Sequence, residues 1–344
     1  MPSVKKIIGL AIAVAMSTAI TSLPLSAAVI LQYHHIGDQS PRSTTASIEE
    51  FSAHLDWLAE NNFEIIALPE LIARRLDKKL LLSEKVASIT FDDSSKSICT
   101  SAWPILLERQ LAFTIFVNTK VVDTGGSSQC SWQELLKMQK SGLLTIANHS
   151  HSHAHMLDQS AYESEQQWLA AMRQEVKVAE KILQQNTGSA AKIFAYPYGE
   201  TNTQLQQMIT ALGYSAVGQQ SGAIGNSSDL SVLPRFPLSG AYANMETLAD
   251  KLLSLPLPIV AIDFSEAAAV NEAPLLSLQL EEGFDGKVQC YLGSGEKIAT
   301  EQKDHSISVF YSQNVAPGRH RYNCTAPSTQ PGRFYWYSHQ WLQQ

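Results

Sequence analysis

Short apolar runs alternate with amphipathic stretches through most of this chain, and that alternation leaves few folds open. Residues 29–33, 87–91, 113–117, 143–147 and 192–196 read as buried strands. Between them a helix over 47–61 opens on a capping box of Ser47 and Glu50 and turns Ile48, Phe51, Leu55 and Leu58 to one side. Ser131 caps a second helix, carrying Leu135, Leu136 and Met138 and stopping at Gly142. A long helix over 160–185 has Leu169, Met172, Val176, Ala179 and Leu183 on one stripe, and a shorter one over 201–212 is closed by Gly213. Strand and helix in regular turn imply a parallel sheet, curled into a barrel or left open. Either way the carboxyl ends of the strands share one edge, where such sheets place their chemistry.

Beyond Pro256 and Pro258 the pattern changes. An alanine-rich stretch at 267–269 leads into 275–280, after which VQCYL, ISVFY and RFYWY are separated by Gly, Asn and Pro turns. This reads as a small antiparallel β-sandwich over 263–344, following an α/β domain over 29–262. Phe334, Tyr335, Trp336, Tyr337 and Trp341 put aromatics on both faces of one strand. One face suits the core, and the other is free to stack on sugar rings. Trp132, at a helix start, is read as packing rather than as a sugar platform.

Residues 1–28 have the layout of a secretory leader: Lys5 and Lys6, an apolar run, then Ser26, Ala27 and Ala28 at a cleavage site. Serine, threonine and proline interrupt the run too early for a membrane span. The expected product is a soluble, exported chain, periplasmic or secreted, with no stable membrane span. Losing the two lysines moves the formal charge from −7 to −9, and no basic stripe exists, which excludes nucleic acid as a partner. The four cysteines, Cys99, Cys130, Cys290 and Cys324, have no CxxC spacing. In an oxidising compartment they read as Cys99–Cys130 and Cys290–Cys324, one pair per expected domain, with free buried thiols as the alternative.

Two strand ends carry the chemistry. SITFDDS ends in Asp92 and Asp93, and LTIANHSHSHAHM places His149, His151, His153 and His155 after a later strand. Adjacent aspartates at a strand end point in different directions, which favours a division of labour: one binds a metal and the other takes a proton from water. An Asx turn is the plainer alternative. The histidines share one face if extended, or pair as His149 with His153 and His151 with His155 if coiled, and spacing does not choose.

TFDD at 90–93, NHS followed by His153, and AYPYG at 195–199 resemble, in order, three motifs of the polysaccharide deacetylases, carbohydrate esterase family four or NodB-homology domain. The resemblance covers roughly 29–262 and implies a distorted (β/α) barrel. It implies Asp92 as catalytic base, Asp93, His149 and His153 as metal ligands, and the backbone N–H of Tyr198 as oxyanion donor. The implied cofactor is a divalent metal, Zn2+ most often, with Co2+ or Ni2+ as substitutes. The implied partner is an N-acetylated glycan from which acetate is released. FAYPYGE looks like the branch that includes poly-N-acetylglucosamine deacetylases.

Two departures from the family pattern stand out. Ala195 occupies the place of an arginine that braces the catalytic aspartate, and Arg235, in LPRFPL, is the candidate replacement; its plainer reading is a surface or carboxylate-paired arginine. The histidine expected as general acid is missing from LLSLPLPIVAID, which leaves His34 or His35, in LQYHHIGD, or water. Pro197 is expected to shape the Tyr198 turn. The rival readings are a deacetylase of chitin oligosaccharides or peptidoglycan, and a glycan-binding protein that has lost efficient catalysis.

Overall fold

The computed structural model describes residues 27–38, 41–77, 85–265 and 272–343. Nearly all of the expected leader and the alanine-rich stretch at 267–269 lie outside the described residues. Among the described residues no helix is long and apolar enough to cross a membrane.

The main sheet is parallel and curled. Its strands are β1 (Ala28–Tyr33), β2 (Glu64–Ile65), β3 (Val86–Phe91), β4 (Phe113–Val117), β5 (Leu144–Asn148), β6 (Ala191–Ala195), β7 (Ser215–Val217) and β8 (Phe236–Pro237). They run β8-β1-β3-β4-β5-β6-β7, with β2 pairing the start of β3. The segment 233–237 reaches both edges: Leu233 bridges to Val217, while Phe236 pairs with Leu31. The result is the distorted (β/α) barrel that the alternation and the motifs predict.

Strand periodicity explains how the barrel is filled. Val29, Leu31, Tyr33, Ala87, Ile89 and Phe91 face outward into a core shared with Phe51, Leu55, Leu106, Leu135 and Met138 of the helices. Ala28, Ile30, Phe116, Ala147, Ile193, Ala195, Val217 and Leu233 form a second, interior core. Moving along that inner face toward the carboxyl ends, Ile30 is followed by Gln32, and Ser88 by Thr90 and Asp92, all buried. The interior therefore becomes polar at the edge where the motifs emerge.

The helix Ile48–Glu60 has the expected capping box of Ser47 and Glu50. Ile48, however, is 43% exposed, and His54 takes a buried place beside Phe51, Leu55 and Leu58. The long helix is Glu165–Thr187, capped by Ser164, so it begins later than 160. Trp168 occupies the inner stripe in place of the half-buried Leu169. Thr203–Ala211 starts after an Asn202 cap rather than at 201.

After residue 254 the chain forms two four-stranded sheets over a core of Leu276, Leu278, Ile307, Val309, Tyr322, Cys324 and Trp341. One sheet runs Ile259–Phe264, Leu276–Leu280, Ser306–Phe310, Ala299–Lys303. The other runs Leu255–Pro256, Phe334–Gln343, Gly318–Pro327, Gln289–Leu292. The short Leu255–Pro256 pairing is parallel, an exception to the antiparallel expectation. Strand Ile259–Phe264 crosses residue 262, where composition put the boundary.

The cysteines pair as read from the sequence. Cys99–Cys130 ties the helical segment Ile98–Ala102 to the start of helix Trp132–Gln139, and Cys290–Cys324 joins directly paired strands.

Candidate metal centre and active site

Asp92 and Asp93 diverge as adjacent strand-end residues must. Asp92 continues the inner face of β3 and is fully buried. Asp93, at φ 67°, turns away toward the histidine segment. Arg235 grips Asp92 from the barrel-closing segment, Nη1 at 2.7 Å from Oδ1 and Nη2 at 2.8 Å from Oδ2. Its Nε donates to the Gly218 carbonyl at 2.8 Å, and its side chain is itself fully buried. Gln32 Nε2 adds a donor to Asp92 Oδ2 at 2.8 Å. Burial alone would raise the Asp92 carboxyl, but the charge of Arg235, with His149 and the Arg235 hydrogen bonds, holds it well below the usual carboxylate range.

Asp93 Oδ1 lies 3.2 Å from His153 Nε2 and 3.5 Å from His149 Nε2. One ligand atom from each of the three falls within 4.8 Å of the others, a possible metal-binding triad. Donors around a tetrahedral ion with bonds of ~2.0–2.1 Å sit about 3.3 Å apart, so the observed separations suit one small cation. The imidazoles are prepared for it. His149 Nδ1–H donates to the Ala195 carbonyl at 2.8 Å, which leaves the Nε2 lone pair facing Asp93. His153 is pushed down to about 4 by burial and by His149 beside it, against the pull of Asp93, so its ring is neutral at ordinary pH. Asn118 Nδ2 donates to Asp93 Oδ1 at 3.2 Å.

The local chain explains the choice among the four histidines. Ser150 and His153 adopt left-handed backbone, with φ of 64° and 57°, so the segment is neither extended nor helical. That coil brings His149 and His153 together, their ring centroids 4.8 Å apart. His151 is carried away to Thr119 Oγ1, 2.9 Å from its Nδ1. His155 Nδ1 lies 3.1 Å from both carboxylate oxygens of the buried Glu200.

Tyr198 sits in the turn Pro197–Gly199 with φ 58°. Its ring stacks on His155 at 3.9 Å and meets the edge of His153 at 4.5 Å. Pro197 is buried beneath it. At Gly199, φ 71°, an added Cβ would lie 2.7 Å from Gln219 Cβ, so only glycine fits. His34 Nε2 is 3.8 Å from Asp92 Oδ2, and burial lowers its pKa against the pull of Asp92. His35 lies in a short strand pairing Thr45, and burial lowers it as well.

The residues that escaped the sequence reading support these side chains. Gln32 had a signal, a polar residue inside an apolar strand. Asn118, just past β4, and Glu200, ending AYPYGE, had weaker ones. Arg319 and Gln340, which reach Tyr198 from the second sheet pair, had none. Trp132 packs against the outer core and donates to Asp123 at 2.9 Å, as packing required. Of the strand expected to offer aromatics to sugar, Phe334 is exposed. Tyr335, Tyr337 and Trp341 pack into the sandwich core, while Trp336 packs against the barrel, 5.3 Å from Phe236.

Residues 81–217 match the family described as Polysaccharide deacetylase. Over an aligned stretch of 333 residues the chain is 23% identical to the poly-beta-1,6-N-acetyl-D-glucosamine N-deacetylase of Escherichia coli (strain K12). That alignment covers 85% of the chain but only 47% of the relative, so the chain spans about half its length. The enzyme of the same description from Staphylococcus aureus (strain MRSA252) is 24% identical over 212 residues, covering 60% of the chain and 72% of the relative. Among solved structures, IcaB from Ammonifex degensii superposes with a TM-score of 0.55 at 24% identity, covering 65% of the chain and 94% of that protein. Streptococcus pyogenes deacetylase PplD in complex with acetate gives 0.56 at 22%, covering 63% and 94%. These superpositions establish a shared fold.

Proposed function

We propose that the chain, whose residues 81–217 match the polysaccharide deacetylase family, is an exported, metal-dependent hydrolase of N-acetylglucosamine polymers. It removes N-acetyl groups, releasing acetate and leaving free amines, with β-1,6-linked poly-N-acetylglucosamine as the substrate its relatives' names favour. The observation that carries this reading is a buried carboxylate, Asp92, locked by Arg235 immediately beside a separate cluster of one carboxylate and two imidazoles.

Asp93, His149 and His153 would hold the cation, and a one-carboxylate, two-imidazole set suits Zn2+. When bound, such an ion supplies Lewis acidity that acidifies water and polarises a carbonyl oxygen, which matches a base as weak as Asp92. Asp92 stays ionised at neutral pH and takes the proton of the attacking water. Arg235 and Gln32 fix the plane of its carboxylate for that transfer. The Tyr198 N–H donates to the oxyanion that forms on the acetyl carbon, on a turn shaped by Pro197. The C–N bond then breaks, and the amine takes up the proton that Asp92 accepted, directly or relayed through His34, whose Nε2 lies 3.8 Å from Asp92 Oδ2. Two disulfides among the described residues suit the oxidising compartment of an exported protein.

Acetate release from β-1,6-N-acetylglucosamine oligomers, chitin oligosaccharides and peptidoglycan fragments tests the reading. Wild type supplied with Zn2+ should release acetate from the first, and Asp92→Asn or chelator should abolish it. Stoichiometric metal in purified protein with no acetate from any substrate would leave a glycan-binding protein instead.

A further inference from the structure

The two sheets after residue 254 do more than lie beside the barrel. Residues of strands Gly318–Pro327 and Phe334–Gln343 alternate between two faces, with Arg319 opposite Leu342 and Arg321 opposite Gln340. Tyr322, Cys324, Tyr337 and Trp341 point into the sandwich core. The opposite face lies against the barrel: Trp336 packs on its outer core, and Leu342 packs with the cluster of Met156 and Trp168. Two side chains of that same face converge on one atom of the turn between β6 and the next helix. Arg319 Nη1 donates to the Tyr198 carbonyl at 2.9 Å, and Gln340 Nε2 donates to it at 3.3 Å.

The turn needs such restraint. Left-handed backbone is uncommon for a residue with a bulky side chain and persists where the surroundings over-determine it. The Tyr198 ring is held between His155, stacked at 3.9 Å and nearly parallel, and Arg319, whose guanidinium carbon is 5.5 Å from the ring centroid. Its carbonyl is held by Arg319 and Gln340. Fixing ring and carbonyl together fixes both sides of the Tyr198 Cα, and the direction of its N–H follows.

We infer that this C-terminal hairpin sets the active-site turn, with Arg319 and Gln340 as positioning residues for the Tyr198 N–H. The inference rests on the deacetylase reading for its catalytic consequence, but the brace itself is a statement about the fold. It gives the second sheet pair a part in turnover, distinct from capture of polymer.

The experiment compares full-length wild type, Arg319→Ala, Gln340→Ala, the double variant, Arg319→Lys, and Arg321→Ala. The last lies on the same face but contacts Tyr242, not Tyr198. Amide hydrogen exchange over 198–202 is measured alongside kcat, KM and metal content. In the double variant exchange at Tyr198 and Gly199 should quicken at least tenfold. Its kcat should fall by roughly 10²-fold, part of what loss of one oxyanion donor costs, with KM and metal content within about twofold of wild type. Arg319→Lys, which keeps a cationic donor, should recover much of kcat, and Arg321→Ala should match wild type. Unchanged exchange in the double variant overturns the brace, and so does faster exchange with unchanged kcat. A wild type inactive on every acetylated glycan would sink the deacetylase reading, while exchange would still decide the brace.

Discussion

Replacing Arg235 by methionine tests the physical core of the site. The pair it forms with Asp92 is buried on both sides and bidentate, with further hydrogen bonds from Gln32 to Asp92 and from Arg235 to the Gly218 carbonyl and Thr90 Oγ1. Methionine keeps much of the apolar volume but strands a carboxylate in the barrel, and breaking a buried pair from one side costs about 3–5 kcal/mol. At ~2–4 °C per kcal/mol for a unit of this size, the barrel transition should fall by about 6–20 °C in calorimetry. Asp92→Asn alone strands the arginine and should cost a similar amount. The double variant buries no unpaired charge, so its loss should fall at least ~2 kcal/mol short of the sum of the two single losses. The pH dependence should also invert. In wild type the Asp92 carboxyl is depressed, so its contribution is present above the ordinary 3.8 and is lost only as pH falls below that. Without Arg235, burial acts unopposed and raises the carboxyl, so the variant should lose stability relative to wild type as pH rises past 4. Acetate release should drop by about 10²-fold, as expected when a reacting group is displaced by an ångström. A loss below about 1 kcal/mol for Arg235→Met, or strictly additive single losses, would refute the argument that Arg235 exists to neutralise and orient Asp92.

Removing metal with a chelator should abolish acetate release and lower the barrel's melting temperature, by the equivalent of ~2.7 kcal/mol where free Zn2+ had stood at a hundred times its Kd. Asp93→Ala and His149→Ala should bind less than a tenth of the wild-type metal by elemental analysis. His339, with its ring 3.9 Å from that of Phe264 and bonded to the Tyr337 hydroxyl, is pushed down to about 4 by burial. The unfolded chain therefore binds the extra proton between about 4 and 6.5, and stability should fall on acidification through that window by at most about 3 kcal/mol; His339→Phe should flatten that limb in urea titrations at stepped pH. Converting Cys290 and Cys324 together to alanine releases a 34-residue separation and should destabilise the sandwich by roughly 3–4 kcal/mol, read as an earlier tryptophan fluorescence transition.

The parallel sheet with its polar strand ends was legible in the amino-acid sequence because it follows from local pattern, while the closed barrel came from the family resemblance and the disulfide pairings from assigning one cysteine pair to each expected domain. Apolar runs of strand length and capped amphipathic helices carry their signal within a few residues. Asp92, Asp93 and His149 drew notice for the same reason, since each stands at or next to the end of such a run, whereas His149 and His153 were picked out of four clustered histidines by the family resemblance. Ile48 and Leu169 were misplaced because a helical stripe defines a face only to within a turn, and the packing of His54 and Trp168 decided which neighbour went inside.

What the linear order could not determine was which distant side chain would meet each of these residues. Arg235 was named as the candidate brace beside a plainer surface reading, and the path that brings it onto Asp92, 143 residues away, exists only once the barrel closes through 233–237. The histidine segment took its register from left-handed residues at 150 and 153, which no spacing rule distinguishes from an extended or helical run. Arg319 and Gln340 met Tyr198 because a hairpin presents alternate residues to the surface it lies on, and that surface is chosen by packing. Sequence sets local conformation and the chemistry on offer at the strand ends. Tertiary closure decides which charges are desolvated together, and so which carboxylate is braced, which is left for the metal, and which turn is held.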